Sequence, residues 1–283
     1  LRGKASALGA ITVLNAIATW KGSAIGIDLK TEAEVLLDDT FQIKGDVPGI
    51  DDRLIVRSAE LVLERFGEDL GGVVRTSSQI PVASGLKSSS AAANAVVLAT
   101  LDALGESLDP LEATRIGVKA ALDAGVTITG AFDDAAASML GGLVVTDNRE
   151  MSLLRRDVLN EEHNPEVLLL VPEEKAYSKE TDVHRSKLVA PLADLAFDLV
   201  MEGDYERAMT LNGLIYCSAL GFSSEAIFSA LDSGARSASL SGTGPAYAAL
   251  VEGNQIDDVQ SSWKNLGGRV IKTKVNNIGS SFG

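Results

Sequence analysis

The sequence predicts an α+β protein of two units, residues 1–155 and 160–283, and three observations carry that expectation. Strand and helix periodicities are interleaved through the first half of the chain. A charged stretch from Arg149 to Asn164 then interrupts them, and the compact apolar run Val167 to Val171 opens a second series in which helices precede strands. With 283 residues, 46% hydrophobic and 23% charged, the chain is long enough to bury two cores.

Taken in order, alternating apolar residues from Ser23 to Leu37, with Ile25, Ile27 and Leu29 on one face, predict strands near the start. The segment Asp51 to Phe66 carries Leu54, Ile55, Ser58, Leu61, Val62 and Arg65 at helical spacing, and Gly67 is its expected terminator. A strand over Gly72 to Ile80 leads into a turn, followed by helices over Ser88 to Leu104, Pro110 to Ala124 and Asp134 to Leu140. Gly141 and Gly142 separate the last helix from a strand at Leu143 to Thr146. In the second unit, helices are expected around Pro191 to Met201, Asp204 to Leu220 and Ser223 to Leu231. Strands follow near Ala246 to Val251 and Gly268 to Lys274, on either side of a helix near Ile256 to Trp263. The polar, aperiodic segment Glu173 to Lys187 reads as a lid or as an ordinary surface connection.

The most informative stretch is the turn Pro81, Val82, Ala83, Ser84, Gly85, Leu86, Lys87, Ser88, Ser89, Ser90, Ala91, which feeds an Ala/Val/Leu-rich run without a helix breaker. Its composition suits an anion cradle. Gly85 permits close backbone approach, the serines supply donors where the helix starts, and the positive helix end faces the same anion. An N-cap on a buried helix would explain one of the three serines. The segment is not a Walker A loop, because Leu86 stands where the second glycine is required.

The turn resembles the second motif of the GHMP kinases, P-x-x-x-G-L-x-S-S-x-A, matched at Pro81, Gly85, Leu86, Ser88, Ser89 and Ala91. The other two motifs of that superfamily have counterparts in the right order. Gly3-Lys4-Ala5 is similar to the first, with Arg2 in place of its proline, and Ser239-Leu240-Ser241-Gly242-Thr243-Gly244-Pro245 is similar to the third. Within the superfamily, Gly9 to Thr19, the G-L-K-S-S-S-A form of the cradle and Gly130-Ala131-Phe132-Asp133-Asp134-Ala135 resemble the archaeal shikimate kinases, over Gly3 to about Tyr247. Lys87 departs from the superfamily pattern, which has glycine there, and agrees with this branch.

The resemblance implies a mixed α/β nucleotide-binding N-terminal domain and a ferredoxin-like C-terminal domain. It also implies phosphorylation of the 3-hydroxyl of shikimate by ATP with Mg²⁺, on the route to aromatic amino acids. A catalytic aspartate seven residues before a Gly-Gly pair selects Asp134, with Asp133 as a helix cap and Lys4 as the cation beside Asp134. An acidic metal ligand eleven positions upstream selects Asp123, with Ser89 or Ser90 as companion oxygen ligand. Pro81 to Ala91 become the nucleotide site, and Asn15, Asp134, Ser241, Gly242, Thr243 and Gly244 the substrate site.

Other classes are disfavoured. A formal net charge of −14 opposes nucleic-acid binding, which needs a basic footprint. No apolar run is long enough for a membrane span, and cytoplasm is the expected location. The single cysteine, Cys217, reads as a small buried hydrophobe, and His163 and His184 lack partners at zinc-ligand spacing. Without a G-x-S-x-G elbow, Ser84 reads as a loop donor. Arg155, Arg156 and Arg185 are candidates to grip a substrate carboxylate or are simply solvated. The rival expectations are a homoserine kinase, a kinase of isoprenoid precursors and a catalytically silent nucleotide-binding module. The sequence leaves the oligomeric state open.

Overall fold

The computed structural model describes residues 1–46, 51–127, 129–159, 165–173 and 183–283. The first unit is a mixed sheet covered by helices. Strand β1 (Arg2–Leu14) pairs antiparallel with β2 (Lys21–Asp38), whose eighteen residues are long enough to take two further partners. Its second half pairs with β4 (Gly71–Ser78), and its first five residues pair with β5 (Leu143–Asp147). Strand β3 (Ile43–Gly45) adds to β4, and β6 (Ser152–Asp157) adds to β5. The β6 strand lies inside the charged stretch expected to be a connection. Its half-buried pattern explains why hydropathy alone missed it.

Four helices complete this unit: α1 (Arg53–Phe66), α2 (Ser88–Leu104), α3 (Pro110–Asp123) and α4 (Phe132–Leu140). Gly67 ends α1 in the left-handed conformation, as expected from its lack of a Cβ. Asp109 caps α3 by accepting from the N–H groups of Leu111 and Glu112, with Pro110 at the first helical position. Helix α2 is apolar nearly all round and, Ala92 and Asp102 apart, buried from Ala91 to Ala103, against β1, β2, α1 and α3. That burial fixes its N-terminus in space.

The second unit is a four-stranded antiparallel sheet in the order β10 (Arg269–Lys274), β7 (Glu166–Val171), β9 (Tyr247–Val251), β8 (Ser237–Leu240). Helices α5 (Val183–Leu188), α6 (Ala190–Met201), α7 (Tyr205–Leu220) and α8 (Glu225–Asp232) lie between β7 and β8, and α9 (Ile256–Lys264) lies between β9 and β10. The sheet order and the two helical crossovers are those of a ferredoxin-like unit. Of the expected loop Glu173 to Lys187, residues 174–182 lie outside the described residues, as does His163, and the remainder includes α5.

The tail of the chain does not stay with the second sheet. Beyond β10 the chain returns to the first sheet, where Val275 bridges Ile27 and β11 (Ser281–Phe282) pairs with β1. One apolar cluster also runs through both units, from Ile11, Ile25 and Leu143 to Val167, Val200 and Leu250. Among the described residues, no helix is long and apolar enough to cross a membrane.

Candidate active site

The N-terminus of α2 opens on a cavity of about 310 Å³, lined on this side by Val82, Ala83, Gly85, Lys87 and Ser88 to Ser90. Helix geometry leaves the N–H groups of the first turn without intrahelical acceptors, so Ser88, Ser89 and Ser90 present backbone donors as well as hydroxyls. The serines are not the cap. Lys87 occupies that position in the left-handed conformation (φ +66°), with no side-chain cap bond. Four residues of the expected nucleotide site frame the turn instead of lining it. Leu86 and Ala91 are in the core, Ser84 donates its hydroxyl to the Pro81 carbonyl at 2.8 Å, and Pro81 thereby closes the turn.

Gly85 has a different reason to be glycine from the one expected. Its φ is +84°, and a Cβ there would lie 2.1 Å from the Ser241 carbonyl oxygen. The space is filled by the Ser241–Pro245 turn, and so the glycine is demanded by packing of one turn on the other, not by approach of an anion. The same contact is tied by Ser241 Oγ donating to the Gly85 carbonyl at 2.9 Å and by the Ala246 N–H donating to the Ser84 carbonyl at 3.0 Å. Ser241 is therefore buried structure. Gly242 and Thr243 reach the cavity, whereas Gly244 packs against Phe222 behind it.

Asn15, at the end of β1, lines the cavity but already spends its side chain. Its Nδ2 donates to the Gly242 carbonyl at 2.9 Å and its Oδ1 accepts from the Ile17 N–H at 3.0 Å. The Gly242 N–H in turn donates to Thr12 Oγ1 at 2.8 Å. Asn15 thus shapes the wall by joining β1 to the glycine turn.

Across the cavity, α4 presents Asp134 from its first turn, and Lys87 Nζ stands 2.9 Å from Asp134 Oδ1, with side chains 6% and 15% exposed. Oδ1 has no aligned hydrogen bond among the described residues, so this contact is Coulombic. Lys87 also packs over Gly242, where a Cβ would meet Nζ at 2.7 Å. It is therefore Lys87, not Lys4, that accompanies the acid. Lys4 is on the outer part of β1, 52% exposed and 3.7 Å from Glu34, with its N–H donating to Asp102. Strand β1 reaches the cavity only from Thr12 onwards, and Lys4 lies near its other end.

Two further expectations are corrected. Asp133 does not cap α4, whose cap position is Ala131 in the left-handed conformation (φ +49°) without a side-chain bond. Asp133 is instead buried, with Oδ1 accepting from Asn148 Nδ2 at 2.7 Å and its N–H donating to Asn148 Oδ1 at 3.1 Å. Burial pushes its carboxyl up to about 7, with the Asp134 charge adding and Lys87 and the Asn148 bond opposing. Asp123 does not line the cavity. Arg57 Nε holds its Oδ2 at 2.8 Å and Lys119 Nζ approaches at 3.3 Å, and that hydrogen-bonded company keeps the carboxyl below its usual range. Committed to two cations, it does not fit a metal ligand.

The candidate anion grips are likewise committed. Arg156 donates to the carbonyls of Leu140, Gly141 and Asn277, Arg155 pairs with Asp157 at 2.7 Å, and Arg185 donates to the Ser218 carbonyl at 3.0 Å. Cys217 is buried, as expected. Sequence reasoning missed Thr12, Ile17, Arg53, Thr127 and Thr129 on the cavity wall. The one available signal was the Gly125–Gly130 bracket around the two threonines, a glycine-bounded segment next to Asp133-Asp134.

The family model for the GHMP kinases N terminal domain matches residues 53–142, which contain the α2 cradle and both aspartates. The chain is 61% identical over 283 residues to a shikimate kinase of Methanothrix thermoacetophila, covering 100% of this chain and 97% of the relative. It is 56% identical to a shikimate kinase of Methanococcoides burtonii, covering 98% and 97%. Among solved structures, the homoserine kinase of Cytophaga hutchinsonii superposes with a TM-score of 0.77 at 20% identity over 99% of this chain and 97% of that one, a likeness of fold.

Proposed function

This chain belongs to the shikimate kinases of the GHMP superfamily, and on that premise we propose that it transfers the γ-phosphoryl group of ATP to the 3-hydroxyl of shikimate in the cavity between α2 and the Gly242–Thr243 turn. The observation that carries the assignment of roles is the buried Lys87–Asp134 pair facing the first turn of α2 across one cavity. Phosphoryl transfer asks a protein for positioning and charge stabilisation more than for covalent chemistry, and these elements supply both.

In this reading the first-turn N–H groups and hydroxyls of Ser88 to Ser90 hold the phosphates, where the α2 dipole favours negative charge. Lys87 balances Asp134 and lies at the side from which charge on the transferred group is neutralised. Asp134 orients the acceptor hydroxyl and takes its proton as the new P–O bond forms. Gly242 and Thr243 close the acceptor side. The donor set of the cradle also fits Mg²⁺, because Ser89 and Ser90 offer hard oxygen ligands beside an anion site at the start of α2. The ion supplies further charge neutralisation on the phosphates when bound.

A coupled ADP-release assay across shikimate, homoserine, mevalonate and galactose, with and without Mg²⁺, tests the reading. Release with shikimate and metal alone is expected. Release with homoserine and not with shikimate would replace the substrate and return the homoserine kinase reading.

A further inference from the structure

Asp133 is costly to bury, and its surroundings show what that burial accomplishes. A Cβ on Gly22 would lie 2.4 Å from Asp133 Oδ2, so the second strand gives up a side chain to make room for this carboxyl. Its partner Asn148 is the hub of four hydrogen bonds. Asn148 Nδ2 donates to Asp133 Oδ1 at 2.7 Å, Oδ1 accepts from the Asp133 N–H at 3.1 Å and from Thr146 Oγ1 at 2.8 Å, and the Asn148 N–H donates to the Trp20 carbonyl at 2.7 Å. Trp20 ends the β1–β2 connection whose Ala16 and Ile17 line the cavity. One asparagine therefore joins the substrate-side connection to the first turn of α4, whose own cap residue, Ala131, offers no side-chain bond. The next residue along that turn is Asp134.

We propose that Asp133, through Asn148, is a positioning residue for phosphoryl transfer: the pair fixes the first turn of α4 against the β1–β2 connection, and so holds Asp134 at the acceptor hydroxyl. The proposal rests on the phosphoryl-transfer reading of the cavity. A buried, hydrogen-bonded carboxyl retained next to the reacting acid is poorly explained by stability, because an apolar side chain of similar volume would serve the core as well or better. Positioning has a measurable size, since displacement of a reacting group by about 1 Å costs roughly 100-fold in rate.

The test separates kcat from KM in the intact enzyme. Asn148→Ala, which leaves both aspartates in place, should lower kcat by about 10- to 100-fold while the KM for ATP stays within about twofold. Asp133→Ala should match it, and Asp133→Asn, whose amide oxygen accepts the same bond from Asn148, should recover at least about fivefold of that loss. If Asn148→Ala folds poorly, Asn148→Leu, of similar volume, removes both the donor and the acceptor and should show the same kcat loss. A kcat within twofold of the parent in whichever of these two folds, whatever the melting temperature, overturns the proposal. An enzyme that prefers another alcohol would change the substrate reading alone, because the same kcat comparison is then made on that alcohol.

Discussion

Lys4 on the outer part of β1 and Lys87 at the N-terminus of α2 each face a carboxylate, at 3.7 and 2.9 Å, but the first pair lies largely in water and the second is buried. Both stand in segments that resemble a superfamily motif, and only the surroundings tell them apart. In water the Lys4–Glu34 attraction is screened and contributes little. At Lys87 the same chemistry sits between a helix terminus, a glycine turn and the first turn of α4, where removal of one partner strands a charge. Position in a motif says which segments meet. The local burial says which lysine is held beside a buried acid.

The sharpest way to break this comparison is Lys87→Met. It should lower kcat by roughly 10²- to 10⁴-fold through loss of positioned charge. It should also reduce stability by about 3 to 5 kcal/mol, because Asp134 is left buried without its cation. Adding Asp134→Leu should restore much of the melting temperature and none of the activity. A Lys87→Met enzyme with parental kcat would remove the distinction drawn between the two lysines.

A smaller effect sharpens it, at the carboxyl that burial pushes up. The folded-state value of Asp133 is about 7 against 3.8 for the ordinary group, so the native state keeps a proton that the unfolded chain releases between those values. This group's contribution is therefore fully favourable below about pH 4 and is lost as pH rises to about 7. Asp133→Asn should raise the melting temperature by several degrees at pH 8 and by little near pH 4, as thermal unfolding across pH will report. An equal shift at both pH values would show that Asp133 folds without retaining its proton.

The smallest effects belong to the exposed groups. Lys4→Met should leave kcat within about twofold and stability within about 0.5 kcal/mol. Asp123→Asn should leave the Mg²⁺ concentration for half-maximal activity unchanged, since Arg57 and Lys119 already occupy that carboxylate. A tenfold loss at Lys4, or a raised metal requirement at Asp123, would restore the roles that motif counting gives them.

Much of the fold is legible in local chemistry. Gly67 stops α1, the breaker-free run Ser88–Leu104 is α2 end to end, and Pro110 follows a capping Asp109 at the start of α3. These are decided within a few residues by backbone freedom and caps. The short strands β3 and β11 and the half-buried β6 are not, because pairing with a distant strand, not their own pattern, makes them strands. The candidate site divides the same way. The cradle is one contiguous segment and can be read, whereas the Lys87–Asp134 pair, the Asn148 hub and the Ser241 carbonyl against Gly85 are meetings of remote segments. Motif spacing locates Asp134 on its turn but carries no information on which cation arrives or what fills the space behind Gly85.

The seam at Gly85 has a thermodynamic consequence. The cradle turn of the first unit is bonded to Ser241 and Ala246 of the second, β1 is bonded to Gly242, and one apolar cluster crosses beneath them. Neither unit can open without exposing the other's turn and part of a shared core. Calorimetry should then record a single cooperative transition whose van't Hoff and calorimetric enthalpies agree, and a nucleotide held only by the first unit should delay the melting of the second by the same number of degrees.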